Sequence, residues 1–434
     1  MKGSIPTRAP ADRVVVASVL SPDSESLLAV DPLAEIAGLA AAAGAEVVGR
    51  VIQRRPKPHM RTAFGPGKVE EIAALCEQRD AKVLIVDLDL SPSQGRNLEK
   101  DLGLRIVDRT ELILDIFATR ARSKQAKLQV ELAQLQYLGT RLRRMWTHLE
   151  RTGGGIGTRG PGETQLETDR RLIGKKVADL KSRLHEIEAR SRRRAEERLD
   201  PNTVSLVGYT NAGKSSLLVS LTGAEAYVAD QLFATLDTRV RNWKLEDGRR
   251  VMLADTVGFV RELPHNLVAS FHATLEETLH ADLLLHVLDA SDPDRALNLR
   301  AVDSVLSDLG AGELPRLLIL NKADLLEEDE RLALRAEFPD AVMVSVKSGE
   351  GIDSLDRTIA AQLDAWSLYL DVRIPSSAGR LISELKRVSR LEEEGYEASD
   401  WIARLRIGPR QWGMLQAEFE RRQAEFTPVA APAF

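Results

Sequence analysis

Residues 204–218 read VSLVGYTNAGKSSLL. A β-favouring run ends at Gly208, four residues separate it from Gly213, and Lys214 and Ser215 lead into a helix-like segment. Strand, GxxxxGKS loop and helix in that order form the P-loop arrangement, which places an α/β domain around it. The glycines let the loop amides of Tyr209, Thr210, Asn211 and Ala212 face a β-phosphate. Lys214 is suited to neutralise β and γ oxygens, the Ser215 hydroxyl to bind Mg2+, and Ser216 continues the nucleotide-contacting run.

Working outward, strand-like VMLADTVGF brings Asp255, Thr256, Val257 and Gly258, a carboxylate for metal-bound water and a glycine amide for a γ-phosphate. Apolar LLIL then runs into Asn321, Lys322, Ala323 and Asp324. A carboxylate at Asp324 can accept from guanine N1–H and its exocyclic amine, and adenine offers no such donor pair, so the motif selects GTP. Ser345, Val346 and Lys347 in VMVSVKSG stand where such a domain closes over the base. Between P-loop and Asp255, the stretch DQLFATLDTRV carries Phe233, Ala234 and Thr235; Thr235 is the expected switch I ligand of Mg2+, with Thr238 its competitor. Phe259 occupies the place where Ras-like enzymes carry a water-orienting glutamine, so intrinsic hydrolysis should be slow and completed by a partner. Asn211 allows two readings, support of a K+ ion against the phosphates or tolerance of a tight loop.

The remaining chain is organised around this domain. With 434 residues, 43% of them hydrophobic, about three cores are expected. Cys76 is the single cysteine, and the start offers no signal-like or spanning run, which points to the cytoplasm. From Val14 to Ala118, β-rich runs such as VVVASVL and KVLIVDLDL alternate with helix-like ones, the pattern of a parallel α/β sheet resembling nucleotide-binding domains. FGPGKVEEI (64–72) reads as a Gly-Pro turn entering a helix, with a small anion site around Lys68 as the sharper alternative.

Apolar residues at Leu128, Leu132, Leu135, Leu138, Leu142, Met145 and Leu149 predict one helix over 119–150, about 48 Å long at 1.5 Å per residue. A second stripe, Leu166, Ile173, Val177, Leu180, Leu184 and Ile187, predicts an antiparallel partner. Residues 119–198 hold 20 Lys and Arg against 10 Asp and Glu, while the whole chain is at −5, so a polyanionic partner is expected here. The connecting TGGGIGTRGPGETQLETDRR exceeds what a helix-to-helix turn requires. Gly153, Gly154, Gly155, Gly157, Gly160 and Gly162 permit close backbone approach to phosphates. Arg151, Arg159, Arg170 and Arg171 add planar donors, so these ten are the candidate RNA contacts.

Residues 89–138, with RMWTHLERTGGGIGTRGPGETQLETDRRLI, FATLD and DTVGF, closely resemble the HflX family of translational GTPases over about 30–370. The resemblance implies binding to the large ribosomal subunit and its rRNA. It also implies splitting or rescue of stalled ribosomes under stress, ribosome-stimulated hydrolysis of GTP to GDP, and a tip reaching toward the peptidyl-transferase centre. ATP binding by the N-terminal domain is implied as well, though no convincing site for it is visible. FATLD here lacks the proline and threonine that commonly follow it in the family, which places Thr238 in doubt. A final segment reads as strand, helix, two strands and helix, with Trp401 and Trp412 as packing residues. The expected order is an α/β domain (1–118), a basic helical hairpin (119–200), a Ras-like G domain (201–368) and a small α+β domain (369–434). A cytoplasmic monomer is expected, peripheral membrane association being the alternative location.

Overall fold

The computed structural model describes residues 11–22, 28–145, 161–196, 202–223, 232–233, 235–236, 239–261, 281–422 and 424–429. Arg151, Gly153, Gly154, Gly155, Gly157, Arg159, Gly160, Ala234 and Thr238 lie outside them. The chain divides into two compact units. The first takes 1–186 together with 229–237 and 261–272, and the second takes the rest.

The first unit is built on four parallel strands, β1 (Arg13–Leu20), β2 (Glu46–Arg54), β3 (Val83–Val86) and β4 (Arg105–Asp108), in the order β2-β1-β3-β4. β1 is a continuous apolar run buried along nearly its whole length, as a central parallel strand covered on both faces must be. Helices α1 (Ala34–Ala42), α2 (Pro66–Gln78), α3 (Pro92–Leu102) and α4 (Arg109–Arg120) supply the cover. Local signals start and stop them: Ser91 and Gln94 form a reciprocal capping box for α3, and Gly103 ends it at φ 67°. Asp108, the last residue of β4, caps α4 by accepting from the Glu111 amide at 2.9 Å. At the start of α2 the Gly65 amide is taken by Gln53 and Lys68 pairs with Glu71, which is the plain turn into a helix.

The helix expected over 119–150 is interrupted. α4 stops at Arg120, and α5 (Lys124–Met145) begins anew with the Ser123 hydroxyl accepting from the Ala126 amide at 3.0 Å. A serine cap is a local hydrogen-bond event that an apolar stripe does not register. Leu128 and Leu132 of the stripe are buried, joined by Val130 and Ala133, but Leu138 is half exposed. α6 (Pro161–Glu196) starts earlier than its stripe suggested, so Gly162 belongs to its first turn. α5 and α6 run antiparallel, Lys176 pairing with Glu131 at 2.6 Å and Ile173 lying 3.7 Å from where a Cβ on Gly139 would stand.

In the second unit six strands follow the order β10-β9-β8-β5-β7-β6, from β5 (Thr203–Gly208), β6 (Arg239–Lys244), β7 (Arg250–Asp255), β8 (Leu283–Asp289), β9 (Arg316–Asn321) and β10 (Val342–Met343). All pairs are parallel except β6 with β7. α7 (Lys214–Thr222), α8 (Arg295–Asp308), α9 (Glu328–Glu337) and α10 (Ile352–Ala365) pack around it. The C-terminal part adds β11 (Leu368–Pro375), α11 (Gly379–Val388), β12 (Arg390–Glu397), β13 (Asp400–Ile407), α12 (Pro409–Arg421) and β14 (Glu425–Pro428), with the antiparallel order β12-β13-β11-β14. β14 was not legible, because EFTP is short and ends in proline. Trp401 is fully buried, and Trp412 stacks edge-on with Phe419 and Phe426 at 4.8 and 4.7 Å. Asp364 at the end of α10 receives both Arg249 and Arg390, tying this module to the P-loop sheet.

Candidate nucleotide-binding site

β5 delivers the chain to Gly208, whose φ is 149°; a Cβ there would stand 2.2 Å from the Val287 carbonyl oxygen on β8. Only glycine permits that approach. Gly213, at φ 97°, has the Asn321 amide nitrogen 2.2 Å from its missing Cβ. Asn321 uses that space to donate to the Ala212 carbonyl at 2.9 Å, so the end of β9 braces the loop from behind.

Lys214 is buried at the start of α7 and donates to the carbonyls of Gly208 at 3.0 Å and Tyr209 at 2.8 Å. Two of its three protons are thereby committed, and the third can meet a phosphate. Burial pushes its pKa down to about 8, with the Asp255 carboxylate opposing the shift. Phosphate oxygens would restore the charge, so binding takes up a proton above that pH. GDP affinity should therefore be flat below pH 7 and fall by about tenfold between pH 7 and 9. Lys214→Arg, which stays charged, should lack that fall. Titrating labelled GDP at both pH values checks this, and an equal loss in the two proteins would refute it.

The Ser215 hydroxyl donates to Asp255 Oδ2 at 2.6 Å, and Asp255 is fully buried at the end of β7. Two hard oxygens converging beside the P-loop fit a small divalent cation that takes its remaining ligands from phosphate and water. Among the described residues no group of three or more His, Cys, Asp or Glu could hold a metal. Thr235 is buried and belongs to the first unit.

Past Asp255, Thr256 donates its hydroxyl to the Leu206 carbonyl at 2.7 Å, while Val257 is buried. Phe259 then pairs with the P-loop through its backbone: its carbonyl accepts from the Thr210 amide at 2.7 Å and its amide donates to the Gly208 carbonyl at 3.2 Å. This apposition requires glycine at 258, since a Cβ there would lie 2.8 Å from Thr210 Cγ2 and 3.0 Å from Lys214 Nζ. The Phe259 side chain is buried and brings no polar group to a water. Asn211 is exposed at φ 64°, a left-handed conformation that asparagine tolerates well. Ser216 is half-buried on α7.

At the base end, the Ser345 hydroxyl donates to Asp324 Oδ1 at 2.6 Å and accepts from the Ser348 amide at 3.1 Å, fixing the carboxylate's orientation. The Val346 amide lies 3.4 Å from Asn321 Oδ1, and Lys347 is exposed. Lys322 stands in the left-handed region at φ 63° and pairs with Asp289 at 2.6 Å. Sequence reasoning missed Asp289; its signal was an acid closing the apolar strand LLLHVLD. Phe233 was expected beside the nucleotide, but its side chain is buried edge-on against Phe117 at 4.7 Å, within the first unit.

Family profiles match along the chain: "GTP-binding GTPase N-terminal" over 31–118, "GTP-binding GTPase Middle Region" over 120–198 and "50S ribosome-binding GTPase" over 203–322. GTPase HflX of Escherichia coli strain K12 is 47% identical over 372 residues, covering 85% of this chain and 87% of that protein. GTPase HflX of Caldanaerobacter subterraneus is 45% identical over 387 residues, covering 88% of each. GTPase HflX of Magnetococcus marinus is 42% identical over 425 residues, covering 96% and 98%. A P-loop braced by Asn321 and an aspartate held by Ser345 thus sit in a chain that matches these relatives along most of its length, and that chain belongs to the HflX family of GTPases, which hydrolyse GTP to GDP and phosphate.

Proposed function

We propose that the chain binds the large ribosomal subunit and its rRNA through α6 and the glycine-rich tip, and that its GTP-bound state splits or rescues stalled ribosomes. The observation that carries this reading is the cationic surface of α6, where Arg170, Arg171, Lys175, Lys176, Lys181 and Arg183 are all exposed. An RNA backbone is the polyanion such a surface fits. The 203–322 match to a "50S ribosome-binding GTPase" profile supports the same partner. The tip glycines and arginines from Arg151 to Gly162 are proposed to enter the subunit with it. Binding energy of the GTP state would drive splitting, and hydrolysis would serve release.

Ser215, Thr235 and, through water, Asp255 are proposed to hold Mg2+, which when bound neutralises phosphate charge. K+ against Asn211 is a proposal that equal GTPase rates in potassium and sodium would remove. No helix among the described residues is long and apolar enough to cross a membrane. Cytoplasm is the proposed compartment, since the proposed partner is there.

Co-sedimentation with large subunits in a non-hydrolysable GTP analogue tests the reading. Replacing 153–162 by a short Gly/Ser turn should abolish binding. Arg170→Gln with Arg171→Gln should weaken it by about tenfold at physiological salt. Binding that survives the tip replacement, and that unrelated RNA matches, would favour a regulatory GTP switch acting on a protein or another RNA.

A further inference from the structure

We propose that the Thr210 hydroxyl is a further catalytic group for GTP hydrolysis, donating a hydrogen bond to the γ-phosphoryl group as it passes from GTP to water. This role belongs to the GTPase reaction and is independent of the ribosome reading.

Thr210 is the second of the residues that separate Gly208 from Gly213. Its backbone is already fixed, since the amide donates to the Phe259 carbonyl at 2.7 Å and Tyr209 beside it bridges in parallel to Phe259. The loop therefore keeps its shape without help from the hydroxyl. The residue is only 6% exposed, and its Oγ1 has no hydrogen-bond partner among the described residues. A buried hydroxyl left unpaired is costly, whereas valine would fill nearly the same space without that cost. Folding gains nothing from this hydroxyl, so its partner is to be sought in a ligand.

Its surroundings say which ligand. Thr210 Cγ2 lies 2.8 Å, and Lys214 Nζ 3.0 Å, from the point where a Cβ on Gly258 would stand, so threonine, lysine and glycine converge on one spot. The hydroxyl branches from the same carbon as Cγ2. Lys214 is the lysine suited to neutralise phosphate, and Gly258 is the residue expected to meet a γ-phosphate. A phosphoryl oxygen brought there offers Oγ1 the acceptor it lacks, in a charge-assisted bond. Phe259, next in the chain, contributes no side-chain donor. All four residues lie in the second unit.

In the reaction a water oxygen bonds to the γ-phosphorus, the bond from that phosphorus to the bridging oxygen breaks with its electron pair leaving on GDP, and the water's proton passes to phosphate or solvent. Thr210 keeps its own proton. Its hydroxyl only donates to an equatorial oxygen, where charge is spread in the transition state. GDP lacks the γ-phosphoryl group, so its binding should not register the hydroxyl.

In the full chain, Thr210→Val should slow single-turnover GTP hydrolysis by about tenfold, with GDP affinity changed less than about twofold. Thr210→Ser, which keeps the hydroxyl and drops the methyl, should hydrolyse within about threefold of the unaltered protein. The nucleotide-free valine variant should melt no lower than the unaltered protein, because an unpaired hydroxyl has been removed. That melting temperature is the readout a merely structural role would move the other way. An unchanged rate in the valine variant, equal losses in the valine and serine variants, a loss of GDP affinity that matches the loss of rate, or lower melting of the nucleotide-free valine variant would each overturn the proposal.

Discussion

Purified large ribosomal subunits should raise GTP turnover by about a hundredfold or more, approaching the 10³–10⁵ that a missing catalytic group supplies in trans. The expectation comes from one position. Phe259 follows Gly258, the residue expected to meet a γ-phosphate, is buried, and joins the P-loop through backbone bonds. Nothing on that side chain can orient water or offset developing negative charge, so turnover by the protein alone should be slow. If the polyanionic partner of the basic helices is the large subunit, the stimulation should vanish when 153–162 are replaced by a short turn, although the P-loop is untouched. Steady-state phosphate release with and without subunits measures both points. A protein that turns over as fast alone as with subunits would remove the link between Phe259 and partner activation.

Asp324→Asn should lower GTP affinity by about a thousandfold and collapse the preference for GTP over ATP. The carboxylate is held in place by the Ser345 hydroxyl at 2.6 Å, which itself is fixed by the Ser348 amide. Asparagine keeps the shape and replaces one acceptor oxygen by a donor, which then opposes a guanine donor. Two charge-assisted hydrogen bonds are exchanged for one neutral bond and one unpaired buried donor, and few substitutions of equal size cost more. Competition of ATP against labelled GDP provides the readout. An asparagine variant that still rejects ATP would mean that guanine is read elsewhere.

Much of the phosphate and base site was legible because its chemistry is local. Gly208, Gly213, Lys214 and Ser215 lie close together in the chain, and their residue types suggest phosphate binding before any folding. Asp324 and Ser345 could be placed by the apolar strands running into them. The alternating pattern of the first domain likewise announced a parallel sheet, since burial on both faces writes itself into a continuous apolar run such as β1.

What the linear pattern could not carry were contacts between residues distant in sequence. Asn321 bracing Ala212, Asp289 pairing with Lys322 and the break between α4 and α5 each rest on a hydrogen-bond partner that periodicity does not encode. The cluster of Glu35, Asp87, Arg109 and Arg261 is the extreme case, with Glu35 and Arg261 separated by 226 positions in sequence. Each of these residues looks in sequence like an ordinary surface charge. Sequence alone determined the chemistry of GTP and the α/β class, because both follow from residue types at short spacing. Only the tertiary structure decided that Glu35, Asp87, Arg109 and Arg261 would form one buried charge cluster in the first unit, because charges are buried only where folding brings their partners to them.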